Sequence, residues 1–147
     1  GRQRAVLFAR RPCRVPAGFK AVHVKGVEFK ELGQGGRMAH YPVHFHMARQ
    51  TPAGIYVQDS SVNESMTRWI VLHSTQGVLL AGNVGYKSIG HGFYLEDGTE
   101  TDNKLYGNLG ILARAAVGGS SSPRASRCAI PSDWRRGSSA RWSRPRS

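Results

Sequence analysis

The sequence predicts an all-β chain wound as a parallel β-helix, a short solenoid of about four coils with poorly ordered termini. Three observations point there: short apolar runs between turn residues, the lack of a sustained helical stripe, and a repeat of 20-odd residues.

The runs are Ala21-Val22-His23-Val24, Val27-Glu28-Phe29, Val43-His44-Phe45, Gly54-Ile55-Tyr56-Val57, Trp69-Ile70-Val71-Leu72, Gly77-Val78-Leu79-Leu80 and Gly92-Phe93-Tyr94-Leu95. Each is short, rich in β-branched and aromatic residues, and bounded by Gly, Asn, Asp or Ser, the pattern of brief strands with tight corners. No window keeps a 3.6-residue apolar stripe for three turns, so few helices are expected. Ser61-Val62-Asn63, Asn83-Val84-Gly85-Tyr86 and Asn108-Leu109-Gly110 open similar units; Val62 to Val84 is 22 residues and Val84 to Leu109 is 25. One such unit per coil lets inward aliphatics stack into a continuous core. Asparagine suits the corner twice over, tolerating a left-handed backbone and offering an amide that ladders between coils. A β-sandwich would need hairpin signals and cleaner alternation, and both are scarce.

The 147 residues leave room for one ordinary domain. A net charge of +12 suggests a nucleic-acid binder until the charge is located. Residues 20–112 form the expected β-helix and are close to neutral, whereas the excess cations lie in residues 1–19 and 113–147. The latter segment, rich in Arg and Ser, reads as a disordered tail, and the former has no clear assignment. Within it Ala5-Val6-Leu7-Phe8 can be an edge strand, but 10–16 offers no obvious partner. Nucleic-acid binding by these ends ranks last among the functions weighed. Cys13 and Cys128 imply neither a disulfide framework nor a thiolate metal site. Neither a transmembrane run nor a signal-peptide core is present, and a chain that starts without methionine reads as part of a larger parent.

Val27-Glu28-Phe29 through Gln34 and Tyr41-Pro42-Val43-His44-Phe45-His46 form one telling stretch. Ser60-Ser61-Val62 through His73-Ser74-Thr75-Gln76-Gly77 is a second, and Gly90-His91-Gly92-Phe93-Tyr94-Leu95-Glu96-Asp97-Gly98 through Asn108-Leu109-Gly110 a third. Together they resemble the β-helix region that follows the G8 domain in cell-migration-inducing and transmembrane hyaluronidases and in fibrocystin-like proteins. The resemblance implies a right-handed winding, a place at the cell surface or outside it, and a polysaccharide partner such as hyaluronan. It implies glycoside hydrolysis only weakly, because fibrocystin-like members share the fold without that role. The alternative is a non-enzymatic extracellular adhesion or structural module.

Candidate chemistry centres on the histidines. His44 and His46 are two apart on a strand and so share a face, with Phe45 turned inward. Such a pair can hold a divalent metal, completed by His73, His91 or Asp97 from neighbouring coils, or it can bond to backbone and stack on coil neighbours. His91, Glu96 and Asp97 are the candidate catalytic groups. Glu96 and Asp97 are adjacent, so on a strand they would face opposite sides; one would need a carboxylate from another coil, Asp59 for instance. Asp97-Gly98 also suits a capped corner, and His91 between two glycines a tight bend. Tyr86, Tyr94 and Arg37 are the candidate substrate-binding residues, with Tyr41 and Tyr106 as further ring faces for sugars.

Overall fold

The computed structural model describes residues 5–8 and 13–115, and among these it is all strand and turn, with no α-helix. Three strands make each turn of the winding. The first coil holds β1 (Ala5–Phe8), β2 (Cys13–Pro16) and β3 (His23–Lys25); the second holds β4 (Val27–Lys30), β5 (Val43–Gln50) and β6 (Tyr56–Gln58). The third is β7 (Ser61–Asn63), β8 (Ile70–Gln76) and β9 (Leu79–Ala81), and the fourth β10 (Val84–Ile89), β11 (Phe93–Leu95) and β12 (Lys104–Tyr106). β13 (Leu109–Arg114) begins a fifth. Every strand pairs in parallel with its counterpart one coil on, giving three sheets ordered β1-β4-β7-β10-β13, β2-β5-β8-β11 and β3-β6-β9-β12. This is the expected right-handed parallel β-helix.

The core follows from the register. Val24, Val57, Leu80 and Leu105 stack along the third sheet. Val15, Phe45 and Leu72 stack along the second, and Leu95 at the end of that column is exposed. Burying each of the inner side chains stabilises the fold by about 1.5–3 kcal/mol. Along the first sheet the inward column runs Phe29, Val62, Gly85, Gly110, and its side chains vanish where they would meet an indole. Trp69, which enters from the corner before β8, is buried there. A Cβ at Gly92 or Gly110 would lie 2.5 or 2.7 Å from the ring, and one at Gly85 would overlap its fused edge. The three glycines are a slot cut to the thickness of the tryptophan.

Two details differ from the expected pattern. Winding reaches before residue 20: β1 pairs with β4, and β2 pairs with β5 through Cys13 to Val43 and Val15 to Phe45. The repeat also runs one residue off, since Val84 stands beside Ser61 and not beside Val62. Asn83 and Asn108 therefore occupy the corner held by Ser60, while Asn63 lies mid-sheet and bonds Glu28 at 2.6 Å. The amide ladder is present: Asn83 Oδ1 accepts from the Ser60 N–H at 3.2 Å, and its Nδ2 donates to Val57 O and Asn108 Oδ1 at 2.8 and 2.9 Å. The left-handed conformation belongs to the preceding residue, Asp59, Gly82 or Gly107, at φ of 46°, 64° and 57°. The Arg/Ser-rich tail lies outside the described residues from 116 onward.

Candidate functional site

On the second sheet the outward positions of successive coils line up in two columns. Arg14, His44, Val71 and Tyr94 form one, by the pairings of β2, β5, β8 and β11. His46 pairs with His73 in the other, and Glu96 follows β11 at the next rung, its N–H bonded to Leu72 O at 3.0 Å. His44 and His46 thus share a face as expected, with Phe45 fully buried inside. That face is not open to solvent at His44, which is 0% exposed because the 33–41 segment folds over it. Tyr41 meets its ring edge-on at 4.9 Å, and Ala39 O lies 3.0 Å from Nδ1.

The hydrogen-bond chemistry fixes the His44 tautomer. A carbonyl only accepts, so Nδ1 carries the hydrogen and Nε2 holds a lone pair. Nε2 lies 4.0 Å from Glu96 Oε2, and both atoms are buried without a hydrogen-bond partner. Burial, then the charges of His46, His73 and Arg14, push the His44 pKa down to about 4, against the opposing bond to Ala39. Burial and Arg14 likewise lower that of His46. Both rings are neutral at physiological pH.

Glu96 is held from behind. Its Oε1 accepts from the Tyr41 hydroxyl at 3.2 Å and lies 3.8 Å from Arg68 Nη1, which also bonds the Tyr41 oxygen. His73 sits between two acids, Nδ1 at 3.7 Å from Glu96 Oε2 and Nε2 at 3.3 Å from Asp97 Oδ2. Asp97 also accepts from Ser74 Oγ, and its N–H and that of Ser74 both donate to Glu100 Oε1. The expectation that Glu96 and Asp97 diverge fails because β11 ends at Leu95, so the strand alternation stops before them. Asp97 lies in the bend after β11, where its own N–H bonds Glu100 and its carboxylate meets His73 and Ser74. Asp59 does not join them; it pairs with Lys25 at 3.4 Å, beside the third sheet.

Beyond the cluster the Arg68 guanidinium lies over the rings of Tyr41 and Tyr94, at 4.7 and 4.0 Å from their centroids. His91 stacks on Tyr94 at 4.7 Å, and burial followed by the Arg68 charge lowers its pKa. Tyr94 therefore has both faces taken, and Tyr41 is buried. Tyr86 stands on the first sheet under Lys87, apart from the cluster, and Tyr106 is exposed on the third. Arg37 is exposed on the covering segment, bonded to Gln34. Arg68, Ser74 and Glu100 were missed by the sequence reading. Only the coil register would have shown them: Glu96 follows His73 by 23 residues, one coil, and Arg68 is brought in by the corner that seats Trp69.

The winding and this gathering of imidazoles and carboxylates from consecutive rungs define a parallel β-helix protein with a polar site on one sheet. The chain belongs to the CEMIP beta-helix family, whose model matches residues 13–142. It is 38% identical over 106 residues to the cell migration-inducing and hyaluronan-binding protein of Mus musculus, which covers 68% of this chain and 8% of that protein. Over 102 residues it is 38% identical to the cell surface hyaluronidase CEMIP2 of Homo sapiens, covering 65% and 7%. Communication mutant protein F of Dictyostelium discoideum is 39% identical over 99 residues, covering 65% and 9%. The chain thus spans less than a tenth of the length of these relatives.

Proposed function

We propose that this chain is part of an extracellular or cell-surface β-helix that handles a polysaccharide of the hyaluronan type, binding it and hydrolysing it. The observation that carries this reading is the row His91, Tyr94, Arg68, Glu96, Asp97 and His73 along one sheet. Two relatives named for hyaluronan binding and hyaluronidase activity support the substrate class. In this reading the neutral His91 takes a proton from the attacking water while the half-exposed Asp97, coupled to His73, gives one to the departing glycosidic oxygen. Arg37, on the covering segment, and Arg14 meet the sugar carboxylates, and Tyr94 holds His91 in place. Tyr86, on another sheet, would serve a chain that wraps around the winding.

The test is hyaluronan size on a gel after incubation with the folded chain, paired with retention on immobilised hyaluronan. Asp97→Asn and His91→Ala are expected to cut shortening by about 100-fold or more each, with the β-rich circular dichroism spectrum kept. A folded chain that neither shortens nor retains hyaluronan sinks the reading. It would favour the adhesion or structural module, which the occupied faces of Tyr94 already suit.

A further inference from the structure

The imidazole cluster contains two buried atoms without a hydrogen-bond partner, His44 Nε2 and Glu96 Oε2. His44, His46 and His73 each bring one ring nitrogen to a common point, all within 4.8 Å of one another. The Nδ1 atoms of His46 and His73 are 3.2 Å apart. Glu96 Oε2 adds a fourth donor, 3.7 Å from His73 Nδ1 and 4.0 Å from His44 Nε2. A tetrahedral site with zinc–nitrogen bonds of 2.0–2.1 Å has edges of about 3.3 Å, so the 3.2 Å edge is already met. The 3.7 and 4.0 Å gaps must close slightly, and Glu96, outside the three-histidine group, must turn toward His46.

Hydrogen bonding alone does not explain the arrangement. Nε2 of His44 is a lone pair facing a carboxylate oxygen, and both are buried and unpaired. Two buried acceptors facing each other repel, and each forfeits its hydration, which costs about 1–3 kcal/mol per group. The Nδ1 atoms of His46 and His73, 3.2 Å apart, can share one hydrogen, but His44 Nε2 and Glu96 Oε2 have none to share. The rear of the cluster is also built for a cation. His44 Nδ1 donates to Ala39 O, His73 Nε2 faces Asp97, and Glu96 Oε1 is pinned by Tyr41 and Arg68. Ligands oriented from behind by carbonyls and carboxylates are the usual outer shell of a protein metal site.

We infer that His44 Nε2, His46 Nδ1, His73 Nδ1 and Glu96 Oε2 form a binding site for one divalent transition-metal ion, zinc being the best fit. Three imidazoles and one carboxylate select zinc and its neighbours over calcium or magnesium, which take oxygen ligands. The ion would cross-link three consecutive coils, with ligands from β5, from β8 and from the residue after β11. It does not depend on the carbohydrate reading, and its test involves no sugar.

The experiment is cobalt titration of the chelator-stripped full chain, followed by zinc competition and elemental analysis. One ion per chain is expected, with the intense visible bands of tetrahedral cobalt that zinc then bleaches, and a higher melting temperature when loaded. His46→Ala and Glu96→Gln should each weaken uptake by at least about tenfold, since even outer-shell changes cost that much. His23→Ala, whose ring stacks on Tyr56 on another sheet, should leave it unchanged. A folded parent chain that shows no tetrahedral cobalt spectrum overturns the proposal without recourse to any variant. So does uptake that survives both His46→Ala and Glu96→Gln.

Discussion

Gly85→Ala is expected to lower the melting temperature by more than about 10 °C, a loss near 3 kcal/mol for a single added methyl. The methyl would overlap Cδ2 and Cε3 of Trp69, and the ring cannot step aside. Phe93 meets it edge-on at 5.6 Å, Gly92 and Gly110 line the slot, and Nε1 donates to Lys87 O at 3.3 Å. Backbone conformation is not the cause, because Gly85 is absent from the positions with positive φ. A double-mutant cycle separates the explanations. Trp69→Leu alone leaves a cavity and destabilises, but in its presence Gly85→Ala should cost far less, a coupling of at least about 1 kcal/mol. Additive losses in thermal or urea unfolding would show that the slot is not what Gly85 serves.

Asn83→Ala is the second large effect, expected at about 3 kcal/mol. The Asn83 side chain, 1% exposed, serves three groups on two other coils. Its removal strands the Ser60 N–H inside the winding, takes one donor from the Val57 carbonyl and breaks the link to Asn108. Each buried group left unpaired costs about 1–3 kcal/mol. Asn83→Asp should be at least as harmful although it is nearly isosteric, because a carboxylate cannot donate to Val57 O or Asn108 Oδ1. Urea midpoints for the two variants decide the matter. A tolerated Asp would mean that the corner depends on its shape and not on its donors.

The two sites also show what was legible in the sequence. Strand and corner were readable where both were local: Trp69 to Leu72 and Gly77 to Leu80 announce themselves by composition and punctuation. β2 was not, because Cys-Arg-Val-Pro has one aliphatic, and what makes it a strand is β5, thirty residues downstream. The offset of the repeat escaped for a related reason. Ser61-Val62-Asn63 looks like Asn83-Val84-Gly85, yet the structural equivalent of Asn83 is Ser60. Only pairing across coils decides between registers one residue apart, and a one-residue slip exchanges the inward and outward faces.

The candidate site divides along the same line. His44 and His46 were visible as a pair because alternation on a single strand is local. His73 became their neighbour, and Glu96 the next rung, only once the coil length was known. That His44 would be buried under Tyr41 could not be read at all, since the covering segment carries no signal of where it folds. Arg68 was invisible for lack of any pattern: its place is set by Trp69 turning inward beside it.

The rungs of this site are also dated. His44 and His46 belong to the second coil, His73 to the third, and Glu96 closes the fourth pass along that sheet, 52 residues after His44. At a synthesis rate of about 5–20 residues per second, the two earliest donors wait roughly 3–10 s for the carboxylate that completes their set. During that interval the nascent chain carries the imidazoles without Glu96, and the site is finished by the fourth coil. Premature termination between Ser74 and Leu95 would therefore yield a chain with all three histidines and its fourth donor missing.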